Sequence, residues 1–498
     1  MATFDPTYPH SIPQAPLLQG ARAIQPAKHP ARSDTVRLLV WIPVAAAAFH
    51  VAYWTPQTGF VVVGFLFALL QLAQTGTWRR AFYSGLAVGL LIAAVRLTFF
   101  WQIFSGGAVA LWLVYAFWVG LFVALARISL RGTFGVRGWA LLPFLWCGLE
   151  YFRSELYYLR FSWLSPGFAF GEAPWQMPLP WVGVYGAGFA LTGLAAIAAF
   201  LWQRSRVLAA AVLLLGCATL TLLGSLSFRN GESSRFGTLR VAGAQMEFPT
   251  EKEVLVRLNE LVRRYPEVEL LVLSEYTFTE PIPAKIKAWC REHRRHLIVG
   301  GKDPVAGGNF YNTAFVISPD GEIVFGQVKS VPIQFFKDGL PAPKQGIWNS
   351  PWGRIGICIC YDLSYRRVTD RLIRLGAQAL VVPTMDVADW GARQHELHAR
   401  VAPMRAAEYG IPIFRLASSG ISQIVDQSGR VKQQAPFPGD SAMLSGELRL
   451  AGSGRLPIDT WLAPLSSGLS LLAVGWLLIR SRRHVGNSAC SNRPLSAS

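Results

Sequence analysis

At 498 residues the chain is too long for one ordinary core, so at least two structural units are expected. Hydrophobic residues make up 52% of it and charged residues only 15%, with 18 tryptophans, which is greasier than a soluble protein of this size needs to be and points to membrane spans. Lys and Arg outnumber Asp and Glu by 47 to 29, but basic residues set between long apolar stretches read as topology signals, which leaves little reason to invoke nucleic acid.

Residues 1–35, rich in Pro, Ala and Arg, have no apolar core of signal-peptide type and read as a polar tail. After them, apolar windows long enough to cross roughly 30 Å of hydrocarbon begin near Val36, Phe60, Phe82, Val109, Trp139, Val182 and Val207. An eighth window ends near Ile479. About seven spans over residues 36–228 therefore precede a long water-compatible stretch, 229–456, and one span over 457–480 follows it.

Basic residues flank every second loop. Lys28, Arg32 and Arg37 precede the first span, Arg79 and Arg80 join the second to the third, and Arg127, Arg131 and Arg137 join the fourth to the fifth. Arg204 and Arg206 join the sixth to the seventh, and Arg480, Arg482 and Arg483 follow the last, ahead of a tail over 481–498. The positive-inside rule places these loops in the cytoplasm and residues 229–456 on the opposite side. The stretch from Tyr151 to Trp181 lies on that outer side too. Its aromatic residues, Trp163 and Trp175 among them, read either as an interfacial belt or as a platform for a lipid-linked substrate, with Glu150 and Arg153 as polar contacts.

From Thr238 the apolar runs become short and β-branched: LRVAGAQM, ELLVLSE, HLIVGG, NTAFVISPDG, GRIGICICYD, AQALVVPT and IPIFRLAS. Each reads as a buried strand. Helical stretches alternate with them at Glu251–Tyr265, Ala284–His296, Arg366–Leu375 and His395–Tyr409, with Gly376 and Gly410 as helix stops. Asp320-Gly321 marks a hairpin turn. An α/β sandwich or layered sheet follows. Six cysteines, at 147, 217, 290, 358, 360 and 490, show no disulfide or zinc spacing. His395 and His398 share a helix, but with no third ligand evident that helix reads as a surface or a site wall, and no glycine-rich phosphate loop precedes a helix.

Three strands finish in reactive side chains: Glu275, Lys329 after a short strand, and Cys360. Brought together, they would supply a base, a cation for a developing oxyanion and a thiol nucleophile. Taken alone, a buried cysteine is more often an apolar filler.

The order Glu, Lys, Cys, as LSEYTF, FGQVKSVP and GICICYD, resembles the signature of the nitrilase, or carbon-nitrogen hydrolase, superfamily. Such a domain set between seven spans and one more is similar to the apolipoprotein N-acyltransferase family. Further matches are Gln245 in VAGAQM, FYNTAFV, HARVAPMRAAEYGIPIFRLASSGISQIVDQSG, LEYFRSELYYLRFSWLSPG and GVYGAGF. The resemblance implies a multi-span α-helical membrane domain joined to a nitrilase-like αββα sandwich. It implies that Cys360, ahead of Tyr361 and Asp362, attacks an acyl ester of a phospholipid, while Cys358 packs inside; because residues two apart share a strand face, the strand must end or turn at Cys360. The amine of a diacylglyceryl-cysteine on a lipoprotein would then take the acyl group, with Glu275 as base and Lys329 at the oxyanion. Tyr361, Asp362, Trp390 and Arg153 would bind substrate, with no cofactor or metal. The setting implied is the bacterial inner membrane, multi-pass, with the catalytic domain on the periplasmic side.

The sequence departs from the family in places. The family's glutamate after the lysine falls near Phe335, and the loop to Cys360 is short. Asp362 stands where Glu is more frequent, and Asp386 or Asp389, with Trp390, stands in for an Asn-Asp-Ala-Trp stretch. Lys337 and Glu280 are lesser rivals to Lys329 and Glu275. Two other readings stay open: a membrane-anchored nitrilase-type hydrolase, in which water resolves the thioester, and a catalytically silent lipoprotein-binding paralogue.

Overall fold

The computed structural model describes residues 30–131, 136–228, 237–439, 441–450 and 452–490. The tail through residue 29 with Lys28, the last eight residues of the C-terminal tail and the side chains of Arg32, Arg480, Arg482 and Arg483 lie outside the described residues.

A helix occupies each of the eight apolar windows. In chain order the first seven are α1 (Pro30–Ala52), α2 (Val62–Leu72), α3 (Trp78–Arg96), α5 (Ala108–Arg131), α6 (Arg137–Tyr151), α7 (Leu179–Trp202) and α8 (Arg206–Ser227), with a short extra helix, α4 (Phe99–Phe104), between α3 and α5. The last window becomes α14 (Asp459–Cys490). Among the described residues, four stretches are long and apolar enough to cross a membrane: Asp34–Ala52, Phe99–Arg131, Leu179–Trp202 and Arg206–Ser227. The others pack against these. A β-carbon on Gly89 of α3 would lie 2.5 Å from Ala116 Cα of α5, the backbone-to-backbone approach that small residues allow where no water is present to drive association.

The remaining elements form two six-stranded sheets. The first has the order β12-β1-β2-β3-β4-β5, from β1 (Thr238–Ala244), β2 (Leu270–Val272), β3 (His296–Pro304), β4 (Phe310–Ile317), β5 (Ile323–Val328) and β12 (Met443–Arg449). The second has the order β11-β10-β9-β8-β7-β6, from β6 (Trp348–Ser350), β7 (Gly353–Ile357), β8 (Ala379–Thr384), β9 (Ile413–Ala417), β10 (Gln423–Val425) and β11 (Val431–Gln434). In the first sheet successive residues face opposite ways, and both faces are apolar. Val241, Leu270, Val272 and Ile298 join a core with Ile355, Ile357, Ala379 and Val381 of the second sheet. Ala242, Leu271, Leu297 and Val299 face Val254, Leu258 and Leu261 of α9 (Glu251–Arg264) and Ile286 and Trp289 of α10 (Ala284–His293). On the other side lie α11 (Arg366–Arg374), α12 (Ala392–Ala399) and α13 (Val401–Tyr409).

Two helix expectations are corrected. The stretch read as a helix to His296 stops at His293, where Arg294 adopts a left-handed conformation (φ 52°) and His296 opens β3. The stretch read as one helix over His395–Tyr409 is two, starting earlier at Ala392 and breaking at Arg400, three residues before Pro403, whose ring does not tolerate the preceding turn of a continuous helix.

The two halves are joined by buried charge. Gly183, at φ 73°, kinks α7, leaving the amides of Val184, Tyr185 and Gly186 without partners in the preceding turn. Glu408 of α13 accepts from Val184 N at 3.0 Å, and Asp459 at the start of α14 accepts from Tyr185 N at 2.9 Å and Gly186 N at 3.3 Å. Arg366 of α11 pairs with Asp459 and with Asp370, and Arg405 pairs with Glu408. All of these side chains are buried. Removing one partner of such a pair strands the other, at a cost of about 3–5 kcal/mol. Arg366→Ala and Asp459→Ala are each expected to lower the thermal midpoint in detergent, followed by tryptophan fluorescence. The double variant should lose less than the sum of the two; unchanged midpoints would contradict the clamp.

Candidate active site

Each reactive side chain sits just past a strand end, where the backbone leaves the sheet. Glu275 follows β2, Lys329 follows β5 and Cys360 follows β7. They are 1%, 1% and 2% exposed. Lys329 Nζ lies 2.8 Å from Glu275 Oε1 and 2.8 Å from Asp338 Oδ2. Asn312 on β4 ties the same two carboxylates together, donating to Glu275 Oε1 at 2.6 Å and to Asp338 Oδ1 at 3.0 Å. Tyr276 OH and Ile333 N also donate to Asp338, each at 2.8 Å, and Met385 N donates to Glu275 Oε2 at 2.7 Å.

One ammonium thus serves two carboxylates, and they are not equivalent. Burial, partly offset by Lys329, raises the Glu275 carboxyl above its ordinary value, and Asp338 adds to the rise. Burial acts in the same direction on Asp338, but Lys329 and the donors from Ile333 and Tyr276 outweigh it and hold that carboxyl low. Burial works against the charge on Lys329, yet Asp338 and Glu275 keep its ammonium well above the ordinary lysine value. Asp338 is a fixed charge partner, whereas Glu275 is poised to take up a proton.

β7 ends at Ile357, and Cys360 opens a short 3-10 turn, Cys360–Ser364, with a φ of 53°. That left-handed conformation takes Cys360 out of strand alternation, so it borders a cavity that Cys358 does not reach. Asp362 clamps the turn, accepting from Ile359 N at 3.2 Å, Ser330 N at 3.0 Å and Val331 N at 2.7 Å, which also pins the chain just after Lys329. Burial pushes its carboxyl up to about 6 against those donors. Cys360 Sγ lies 3.6 Å from Met385 O, so thiol and Glu275 flank the same residue. Burial, then Glu275, push the Cys360 thiol well up, so it is a neutral thiol that needs a base.

The cavity beside Cys360, about 130 Å³, is apolar and has walls from both halves. Phe99, Phe100, Ile103 and Phe104 of α4 and Leu111, Val114 and Trp118 of α5 form one side; Ile333, Phe335, Phe336 and Trp390 form the other. Phe104 meets Phe335 and Phe336 at ring-centroid distances of 5.7 and 6.0 Å. The chain after Lys329 therefore runs along the cavity to the membrane half.

Of the residues expected to bind substrate, Tyr361, Trp390 and Arg153 line this cavity. Asp362 does not, because backbone amides take both of its oxygens. Arg153 donates to Phe161 O at 2.6 Å and lies over the Tyr115 ring, and with Glu150 it borders a second, smaller cavity. Trp163 is 4% exposed, which sets it apart from an interfacial belt: it donates to Ser364 Oγ at 2.9 Å and stacks on His398. Trp175 is half-buried. Lys337, Glu280 and Asp389 are exposed, while Asp386 is buried and lines the cavity. Gln245 holds loops together through Ser422, Pro436 and Gly439.

Sequence reasoning missed Asp338, looking for an acid near Phe335. A usable signal was there, since Asp338 is the sole acidic residue between Lys329 and Cys360. Asn312, within the quoted FYNTAFV, carried no chemical expectation. His398 does find further donor atoms close by: one of its ring nitrogens, an Asp386 oxygen and Cys360 Sγ lie within 4.8 Å of one another. Asp386 is already paired there with Arg415 and His398, which leaves its carboxylate engaged rather than free for a cation.

A carbon-nitrogen hydrolase domain model matches residues 241–455, and an apolipoprotein N-acyltransferase N-terminal domain model matches residues 43–198. The chain is 28% identical over 368 residues to an apolipoprotein N-acyltransferase of Geobacter metallireducens, covering 63% of this chain and 69% of that protein. It is 25% identical over 513 residues to one of Bordetella bronchiseptica, covering 88% and 91%. Among solved structures, Saccharomyces cerevisiae Nit3, a member of branch 10 of the nitrilase superfamily, matches 43% of this chain and 90% of its own at 18% identity, with a TM-score of 0.37. With the two domain models in tandem and relatives aligned along most of its length, the chain belongs to the apolipoprotein N-acyltransferase family.

Proposed function

We propose that this enzyme moves an acyl chain from a phospholipid to the N-terminal amine of a diacylglyceryl-cysteine lipoprotein, through a thioester on Cys360. The observation that carries this reading is an apolar cavity, walled by membrane-half aromatics, that ends on a buried thiol beside a Glu-Lys-Asp cluster. An acyl chain in the cavity would bring its ester carbonyl to Cys360. Glu275, raised by burial, takes the thiol proton as sulfur attacks. The same proton goes to the departing glyceryl oxygen, so lysophospholipid leaves and the thioester remains. Lys329 supplies positive charge near the developing oxyanion, and Asp338 holds it in place. The amine then attacks the thioester carbon, the C–S bond breaks and the thiol is restored.

The distribution of charge supports an orientation. Arg37 reaches Gln74, Arg127 reaches Gly76 O, and Arg131 reaches Gln74 O, which gathers cations at one end of the bundle. Arg400 of the catalytic half donates to Tyr53 O just past the other end of α1. Sixteen residues of helix separate Arg37 from Tyr53, roughly 24 Å at 1.5 Å per residue. The positive-inside rule then puts the catalytic domain on the outer face of the bacterial cytoplasmic membrane.

Two measurements test this. Purified protein in phospholipid-containing micelles should N-acylate a diacylglyceryl-cysteine lipopeptide and release lysophospholipid. Cys360→Ala should abolish both products, and Glu275→Gln should slow them on the order of 1,000-fold; free fatty acid as the only product would favour the hydrolase. Secondly, a long-chain N-alkylmaleimide should label Cys360 ahead of Cys147, Cys290 and Cys358, as read by peptide mass spectrometry. Preferential labelling of Cys358 would overturn the choice of nucleophile.

A further inference from the structure

The side chains that meet a molecule entering the cavity are not those of the Glu-Lys-Asp cluster. Cys360, Asp386, Gln394 and His398 line it, whereas Glu275 and Lys329 are absent from its walls. Glu275 Oε1 accepts from Lys329 and Asn312, and Oε2 accepts from the N–H of Met385, whose carbonyl meets Cys360. An amine at the thiol end of the cavity would meet the Asp386–Gln394–His398 face, which lines it beside Cys360.

That face is built to accept hydrogen. His398 Nδ1 lies 2.8 Å from Asp386 Oδ1, and Arg415 pairs with the other Asp386 oxygen. A carboxylate paired with a guanidinium has no proton to give, so the contact needs the proton on Nδ1, which leaves Nε2 with its lone pair. Arg415 Nη2, 3.1 Å from the same Nδ1, can only donate and so calls for the opposite tautomer; the shorter contact to Asp386, at 2.8 Å, is the one that sets the proton on Nδ1. Nε2 is buried without a partner among the described residues, and so is Gln394 Oε1, although Gln394 Nε2 donates to Asp386 at 2.9 Å. His398 is 1% and Gln394 3% exposed. Trp163, from the membrane half, stacks on the imidazole at a centroid distance of 4.7 Å and 18° between planes, which fixes the ring. A ring nitrogen of His398 lies within 4.8 Å of Cys360 Sγ.

We propose that His398 is a catalytic residue of the second half-reaction: its Nε2 accepts the proton of the acceptor amine, which Gln394 Oε1 helps to orient. This assignment rests on the acyl-transfer reading above. The amine nitrogen bonds to the thioester carbon and the C–S bond breaks; one N–H proton passes to Nε2 and from there to the leaving sulfur. The products are an amide and a free Cys360 thiol, with His398 neutral again. Glu275 keeps the first half-reaction, and the two bases divide the cycle.

The test separates the halves. Full-length protein in phospholipid micelles is allowed to form acyl-Cys360, followed by intact mass, and a diacylglyceryl-cysteine lipopeptide is then added. In His398→Ala, decay of the acyl-enzyme should slow on the order of 100-fold more than its formation does. Millimolar imidazole should restore decay and leave formation as it was. Acyl-Cys360 in the variant reports that it has folded; should the alanine variant not fold, His398→Gln should show the same selective loss without imidazole rescue. Equal losses in the two halves, or wild-type decay, would overturn the assignment while leaving acyl transfer standing. A wild type that never forms acyl-Cys360 would instead overturn acyl transfer itself, and this assignment with it.

Discussion

A single buried ammonium, Lys329 between Glu275 and Asp338, is the constraint on which the rest of the site depends. Moving a lysine out of water costs several kcal/mol, and only close carboxylates with their own hydrogen bonds offset it. Two carboxylates and one cation leave a surplus of negative charge. Asn312 donates to both; the structure resolves the surplus by giving Asp338 further donors from Ile333 N and Tyr276 and leaving Glu275, more deeply buried, as the group inclined to protonate. In the proposed mechanism, the base strength that a neutral thiol requires is thus a property of the triplet and not of Glu275 alone.

The fold serves this triplet by ending strands around it. β2 and β5 of one sheet and β7 of the other deliver their side chains to one place, and Met385, just past β8, touches both thiol and carboxylate. The membrane half is more than an anchor. Its helices α4 and α5 supply one wall of the cavity, and Trp163 from the loop before α7 fixes His398. The kinked α7 and the start of α14 are held to the catalytic half by buried carboxylates and arginines. In the proposed mechanism, substrate access and catalytic geometry therefore rest on the same interface.

Much of this was legible in the sequence because it is written in periodicity. Long apolar windows and short β-branched runs announce a helical half and a sheet half, and Glu275, Lys329 and Cys360 at strand ends announce where chemistry gathers. The turn at Cys360 had to exist for Cys358 and Cys360 to differ, and a φ of 53° provides it. What stayed hidden depends on contacts between distant segments. Nothing local in KDG says that Asp338 folds back on Lys329, and nothing in QHELH says that His398, unlike its neighbour His395, faces the thiol cavity; His395 packs on Phe437 instead. Asp362 looked like a ligand because of its place beside Cys360 and Tyr361, yet three backbone amides claim it.

The central claim is one of place: the acyl chain enters between the two halves and ends at Cys360 beside the Lys329 cluster. A cryo-electron microscopy map of the protein trapped with an acyl-chain thiol electrophile tests it most directly. Continuous density is expected from Cys360 Sγ along Tyr361, Phe100 and Trp118, with Lys329 still touching Glu275 and Asp338. Density on another cysteine, or a chain running along the outer surface of the sheets, would contradict it.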